Sequence, residues 1–371
     1  GDVYKRQTIY KELERMLWAV EILGEVTPRT LDYILSFGER LSALLMSLAL
    51  EGVGLRNRVF TGRQAGIVTD STFGDAKPIH ELSRKLVRKV LTPLLSSGVV
   101  PVVTGFIAGT VEGIVTVLGR GGSDYTATLL ASYLEADEVR LYTDVPGVMS
   151  ADPSRIRNAR VIPLMSFDEA IELAYLGAKR FHPRTFEPVM ASSTCVKVLP
   201  LKGAGGTLIN RSGGGPPLKA VAVLEDLALV SVIGAGMVGR LGTAAEVMGM
   251  FAKSGANIVA IVQPASEVSI SVVIERRYVN KVVPELRNLV RKGVVREVKV
   301  LEPMSMVSVV GRGIEHPEVF REVTSRISGG TAKVVAWTTS SMSISLAAPQ
   351  DRAWRLAKEL HDEVVLRWWR S

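Results

Sequence analysis

Cysteine is almost absent. Cys195 is the only one in 371 residues, so no internal disulfide can form, and this usage fits a reducing cytoplasm. The four histidines and the one thiol fall at no metal-ligand spacing, which argues against a structural zinc and leaves no protein-built metal site to expect. Runs of like charge are missing too. Lys and Arg number 45 against 37 Asp and Glu, a net +8 with a pI near 9.6, yet the basic residues are scattered and no aromatic-interleaved basic patch occurs. Nucleic acid is therefore set aside, and the basic balance is read as the surroundings of a small anionic ligand. No Walker A motif is present, so any nucleotide must be held by another fold. The apolar stretch Leu227 to Gly239 is too short and too glycine-rich to span a bilayer, and no signal-peptide pattern opens the chain. The expectation is a soluble, cytoplasmic protein without a membrane partner.

What is present is ordinary globular material, 47% hydrophobic and 22% charged, with enough chain for two or three domains. Leu13, Met16, Leu17 and Val20 recur at helical spacing up to Gly24, and Thr27-Pro28 offers an N-cap and a first-turn proline for a second helix. Short β-rich runs follow at Val99–Thr104, Ile114–Leu118 and Val139–Thr143, with helical segments such as Leu82–Leu95 between them. Strands alternating with helices predict a mostly parallel sheet covered on both faces. Ser166-Phe-Asp-Glu169 is a capping box that opens a helix expected to reach about Ala178. Gly203 to Pro217 reads as a linker.

The second half repeats itself. Leu229-Val-Ser-Val-Ile-Gly-Ala-Gly236 matches Met306-Val-Ser-Val-Val-Gly-Arg-Gly313, and Ser269-Ile-Ser271 matches Ser343-Ile-Ser345. Each copy reads strand, helix, strand, strand, helix, a ferredoxin-like βαββαβ order with a strand exchanged between copies, and Lys219–Leu224 is the candidate donated to the second. Thr243-Ala-Ala-Glu246 reads as a further capping box, with the helix closing at Gly255.

The richest motif is Leu118-Gly-Arg-Gly-Gly-Ser-Asp-Tyr125, between a strand and a helix. Its glycines let backbone amides approach an anion, the helix N-terminus adds partial positive charge, and Arg120 supplies a bidentate fork. Thr143-Asp144-Val-Pro-Gly147 ends the next strand, where open α/β sheets hold ligands, so Asp144 could face a ribose or a metal. Lys179 could reach a phosphate. Ser36-Phe-Gly-Glu39 places a carboxylate where a glycine is expected to kink the helix. Gly234-Ala-Gly-Met-Val-Gly239 is a formal dinucleotide fingerprint, but the unit's second strand ends at Val262-Gln263 without an acid for a ribose, so it is read as a structural turn.

Together Leu35–Ser42, Gly105-Phe106, Leu118–Tyr125, Thr143–Gly147, Gly177–Lys179 with His182-Pro183, and the repeat ending Ser266–Ile270 resemble aspartate kinases, enzymes of the amino-acid-kinase fold with C-terminal ACT domains. The resemblance covers nearly the whole chain. It implies a catalytic domain over 1–212, a linker and shared strand over 213–225, and ACT domains over 226–301 and 302–371. It also implies transfer of the γ-phosphoryl of MgATP to the side-chain carboxylate of L-aspartate, the first step of lysine, threonine and methionine synthesis. By that resemblance Arg120 meets the substrate's α-carboxylate and Glu39 its α-ammonium, Phe106 and Ser123 line the site, and Asp124 organises the reacting groups. Gly121, Gly122, Thr143, Asp144, Arg155 and Lys179 hold the nucleotide, with Lys179 beside the transferring phosphate. The family's first strand, with its Lys-Phe-Gly-Gly motif, and the early Thr/Ser segment are not in this sequence, so Gly1 is read as an artificial start, and a chain truly beginning there is expected to be weakly active or inactive. Met149 stands where an aromatic is common. The rival reading is a non-catalytic amino-acid-binding subunit of the same fold.

The ACT half implies feedback by an end-product amino acid in a homodimer or homotetramer. Lysine-sensitive relatives tend to carry an aspartate near Ala260, whereas Gln263 resembles the glutamine of threonine-sensitive ones, so threonine is expected before lysine. Met237, Asn257, Gln263 and Ser266 are placed near the effector. Ser341 stands in the second copy where the first has Glu267, and that copy is expected to be structural.

Overall fold

The computed structural model describes residues 2–177, 181–234, 242–266, 268–328 and 334–370, with side chains from residue 7 onward and none at 327–328. The chain divides into two compact units, one of residues 1–144, 180–202 and 208–212, the other of 145–179, 203–207 and 213–371.

The first unit opens with helices α1 (Asp2–Leu23) and α2 (Pro28–Gly52). Thr27 caps α2 as its sequence predicts, its hydroxyl accepting from Thr30 N at 3.1 Å ahead of Pro28. The expected kink at Gly38 is absent: α2 runs unbroken through it, because Ser36, Phe37, Ala43, Leu44 and Ser47 bury one face and outweigh roughly 1 kcal/mol of glycine entropy. This helix is long and apolar enough to pass for a membrane span by composition, yet it carries the buried Asp32 and packs on β1 (Asn57–Phe60) and β4 (Val115–Val117). Strand β1 pairs in parallel with β2 (Val100–Val103), and β3 (Ile107–Gly109) forms an antiparallel hairpin with β4. A second parallel pair joins β5 (Glu138–Thr143) to β7 (Cys195–Pro200). Helices α3 (Gly62–Ala65), α4 (His80–Ser96) and α5 (Gly122–Leu134) cover the strands, and Phe60, Ile67, Val87, Leu91, Leu118, Tyr125 and Leu129 fill the shared core. The stretch read as a linker from Gly203 also holds strand β8 (Thr207–Asn210); its alternation of buried and half-buried residues was hidden among glycines.

The second unit holds β6 (Leu164–Ser166) and α6 (Phe167–Tyr175), whose capping box forms in full: Ser166 Oγ accepts from Glu169 N at 3.1 Å and Glu169 Oε2 from Ser166 N at 2.8 Å. Helix α6 stops at Tyr175, short of Ala178, with Gly177 at φ 102° just beyond its end. The repeat then forms one six-stranded sheet from β9 (Ala220–Ile233), β10 (Ile258–Val262), β11 (Ser269–Glu275), β12 (Glu297–Val310), β13 (Ala336–Thr339) and β14 (Ser343–Pro349), in the order β10-β11-β9-β12-β14-β13. Strands β9 and β12 are each 14 residues long, and each serves both copies. The first part of β9, Ala220–Leu224, lies on Met306–Val310 of the second copy, and the first part of β12, Glu297–Leu301, lies on the first copy's Leu229–Ile233. The expected strand exchange therefore occurs in both directions.

Helices α7 (Thr243–Lys253) and α8 (Val279–Arg291) cover the first copy; α9 (Pro317–Ser328) and α10 (Gln350–Leu360) cover the second. The capping box expected at Thr243 does not form: Gly242, at φ 88°, is the N-cap and Thr243 is already helical, so its side chain cannot serve the cap position.

Candidate functional site

A cleft of about 670 Å³ opens in the first unit where α2 faces the turn between β4 and α5. Its lining gathers Glu39, Phe106, Arg120 and Ser123, every residue expected to bind the amino acid, with Asp124, with Gly121 and Gly122 from the set expected at the nucleotide, and with Asp32. Each comes from a different local cause. Glu39 sits mid-helix on α2, about two turns beyond Asp32. Gly121, at φ 71°, caps α5 in the left-handed region, and a Cβ there would stand 2.5 Å from His182 Cβ, so only glycine lets the turn close. The helix N-terminus that follows thus lines the cleft, which favours negative charge there.

Ser123 Oγ donates to Glu39 Oε1 at 3.1 Å and so fixes the acid against the glycine turn. Gly105 permits this closeness, since a Cβ on it would lie 2.9 Å from Ser123 Oγ. Phe106 adopts φ 63°, a conformation that costs a non-glycine residue on the order of 1–3 kcal/mol. It is held there from both sides: its N–H donates to Thr126 Oγ1 at 3.0 Å and its carbonyl accepts from Leu118 N at 2.9 Å. The strain presents the Phe106 ring against Gly122, where an added Cβ would meet ring Cδ2 at 2.9 Å.

Sequence reasoning missed Asp32. It is fully buried, and its Oδ2 accepts from Gly74 N at 3.1 Å and Val117 N at 3.0 Å, tying α2 to the end of β4. Its Oδ1 is buried without a partner. Burial pushes this carboxyl above the ordinary aspartate range, against the two amides that pull it down. Because the folded pKa is raised, the associated stability is present at low pH and is lost as pH rises through it. Asp32→Asn keeps an acceptor for both amides without the charge, so its Tm is expected to exceed the wild type's by a few degrees at pH 8 and to match it at pH 4. Thermal unfolding at the two pH values checks this, and an offset independent of pH would sink it.

Behind the turn, Arg184 pairs with Asp75 at 2.6 Å and stacks 5.0 Å from the Tyr125 ring centroid. Burial and then the Arg184 charge hold the His182 imidazole below its ordinary pKa, so the group packed on Gly121 is neutral at neutral pH.

The residues expected at the nucleotide are divided between the two units, with Gly121 and Gly122 in the cleft lining. Thr143 ends β5 in the first unit and Asp144 follows it, with Thr143 Oγ1 donating to Asp144 Oδ1 at 3.2 Å. Arg155 belongs to the second unit, where its guanidinium lies 5.3 Å from the Trp354 ring centroid. Lys179 lies outside the described residues, as does Met237. Asn257 and Gln263 flank β10 at its two ends, about 20 Å apart at the rise of a strand, so one amino acid cannot touch both within a single copy. Gln263 and Ser266 share the turn between β10 and β11.

Residues 3–199 match the amino acid kinase family, and residues 230–288 match an ACT domain. The chain is 28% identical to aspartokinase 1, chloroplastic, of Arabidopsis thaliana, over 95% of its own length and 64% of that protein. It is 31% identical to lysine-sensitive aspartokinase 3 of Escherichia coli, over 96% of its own length and 81% of that protein. The crystal structure of E. coli aspartokinase III with aspartate and ADP in the R state superposes with a TM-score of 0.78 at 30% identity, covering 96% of this chain and 81% of that one. The same enzyme in its T state with lysine and aspartate gives 0.74, with coverage of 96% and 82%. The chain therefore spans about two thirds or less of the plant relatives and four fifths of the bacterial one. With a family match over more than half its length and a cleft that gathers the motif residues, the chain belongs to the amino acid kinase family, among the aspartokinases that continue into ACT domains.

Proposed function

We propose that this protein is an aspartate kinase, and the observation that carries the reading is the Ser123–Glu39 hydrogen bond at the mouth of the turn bearing Arg120. One carboxylate and one guanidinium facing a common cleft suit a zwitterionic amino acid: Glu39 takes the α-ammonium and Arg120 the α-carboxylate, leaving the side-chain carboxylate toward the N-terminus of α5. Phe106 and Ser123 shape the pocket, and Asp124 organises the reacting groups. A carboxylate oxygen of aspartate attacks the γ-phosphorus of ATP, the bond to the β,γ-bridging oxygen breaks, and ADP leaves with that electron pair. The product is the mixed anhydride 4-phospho-L-aspartate. The acceptor is already an anion, so no general base is needed; the difficulty is repulsion between two anions, which Arg120, the helix terminus and Lys179 offset.

Thr143, Asp144, Gly121, Gly122, Arg155 and Lys179 form the nucleotide site in this reading. Mg²⁺ bound with the nucleotide beside these residues would supply charge neutralisation on the phosphates. Residues 1–212 are the catalytic domain, 226–301 and 302–371 the ACT domains, and 213–225 joins them. The enzyme is cytoplasmic, as its near-lack of cysteine supports, and associates as a homodimer or homotetramer through its ACT domains. Its effector binds the first ACT copy at Gln263 and Ser266, with Met237 nearby, and Asn257 reaches an effector only from another copy. E. coli aspartokinase III holds lysine in its T state; here the strand bearing Ala260 offers no carboxylate for a cationic side chain, and Gln263 favours threonine.

Aspartyl-hydroxamate formation by the full-length protein, with MgATP and L-aspartate and with or without threonine or lysine, tests the reading. Aspartate-dependent product suppressed by threonine is expected. A folded protein that binds ATP and yields no product would instead be an amino-acid-sensing subunit.

A further inference from the structure

The two ACT copies can be matched residue by residue within their shared sheet. In the first, Ser269 pairs with Ile233; in the second, Ser343 pairs with Val310. Val310 stands 77 residues after Ile233, and Ser343 stands 74 after Ser269. At these offsets Arg312 corresponds in sequence to Ala235, and Ser340 to Ser266, a residue placed beside the effector in the first copy. In the second copy the same positions already hold carboxylates. Arg312 N donates to Glu169 Oε1 at 3.2 Å. Ser340 Oγ donates to Glu172 Oε1 at 2.9 Å, and Ser343 Oγ donates to the same oxygen.

Both acids belong to α6 and stand three residues apart, on one helical face. Glu169 is completely buried, with Lys219 Nζ 3.8 Å and Arg312 Nε 3.7 Å away to offset its charge. Beyond the helix, a Cβ on Gly177 would lie 2.9 Å from Val223 O, so the chain leaving α6 also runs tightly against β9.

We propose that the ligand position of the second ACT copy is a receptor for α6 of the same chain, with the Glu172 carboxylate held by Ser340, the counterpart of the Ser266 that meets the effector in the first copy, and Glu169 held beside it by Arg312 N. The equivalence with an effector rests on the function proposed above; the hold on α6 does not. Two consequences follow. Each chain has one effector position open instead of two. A distortion of the shared sheet by an effector in the first copy also reaches α6 and Gly177 beyond its end.

Hydrogen-exchange mass spectrometry on the full-length protein tests the hold without any catalytic readout. In Glu172→Ala, amides of α6 are expected to exchange at least ten-fold faster while β9 and β12 keep their wild-type rates. Ser340→Ala/Ser343→Ala removes the partners from the other side and is expected to do the same, which guards against a folding defect peculiar to one variant. Calorimetric titration of the wild type with L-threonine, and separately with L-lysine, is expected to show at most one molecule bound per chain. Unchanged α6 exchange in both variants would overturn the proposal, and so would two molecules of either amino acid bound per wild-type chain. Loss of the aspartate kinase reading alone would leave the exchange result standing.

Discussion

Arg120→Ala is expected to lower kcat/KM for L-aspartate about a thousand-fold, the result of removing one partner of a desolvated charge pair at roughly 4 kcal/mol. The loss falls on one substrate. Arg120 is exposed in the free protein, so the Tm is expected to stay within a degree of wild type, and the affinity for ATP within two-fold. Arg120→Lys keeps the charge but not the planar fork, and about a hundred-fold loss is expected of it. Glu39→Gln removes the partner of the ammonium and leaves Ser123 Oγ an acceptor, so its deficit belongs to the substrate and not to the fold. If the two residues grip opposite ends of one zwitterion, the double variant loses less than the two single losses combined. Steady-state kinetics with each substrate varied separately decides this; equal losses for aspartate and ATP would remove Arg120 from the amino-acid site.

Glu169→Ala is expected to destabilise the second unit by about 3–5 kcal/mol, the usual cost of stripping one partner from a buried ion pair. Two amides lose their acceptor together, that of Ser166 in the capping box and that of Arg312, and the Lys219 ammonium, itself wholly buried, loses its counter-charge. Lys219 keeps Gly214 O and Pro216 O as acceptors, the latter at 2.7 Å, but no longer a counter-charge. Burial already holds its pKa below the ordinary lysine value, with Glu169 pulling it back up. A lysine whose folded pKa is depressed carries its full penalty below that pKa and sheds it as pH rises toward the unfolded value. Removing Glu169 deepens the depression, so the deficit is expected to be larger at pH 6 than at pH 9. Glu169→Gln retains an acceptor for the cap and is expected to recover about half the loss. Calorimetric unfolding at the two pH values provides the check; a deficit that grows with pH would reverse the assignment of charge to this pair.

The parts of this structure that read directly from the sequence are those set by local chemistry. Thr27-Pro28, the Ser166–Glu169 box and the glycine turn at 119–122 each name their own conformation within a few residues, and the repeat announces the paired ACT units. Asp32 could not be found this way. Seven residues before Glu39 on a helix, it looks like a solvated acid, and only the folded chain brings Gly74 N and Val117 N to it. Helix α6 shows the same divide: its start was legible, but the meaning of Glu169 and Glu172 lies in residues far along the chain. The supposed kink at Gly38 failed because tertiary burial overrode a local preference, and the Thr243 box failed because Gly242 takes the cap at lower backbone cost.

The reciprocal loan of strands between the ACT copies also bears on how the chain is made. Ala220–Leu224 leaves the ribosome early and has no paired strand until Met306–Val310 follows, while the first copy stays unfinished until Glu297–Leu301 has emerged. Neither copy is therefore a module that synthesis can complete and set aside. The pair closes late and together, through contacts of long sequence separation that are slow to form. A ribosome stalled between the copies would display an open sheet edge, the kind of surface that chaperones exist to cover. A gene cut between the repeats would inherit the same defect: two fragments, each missing a strand that the other carries.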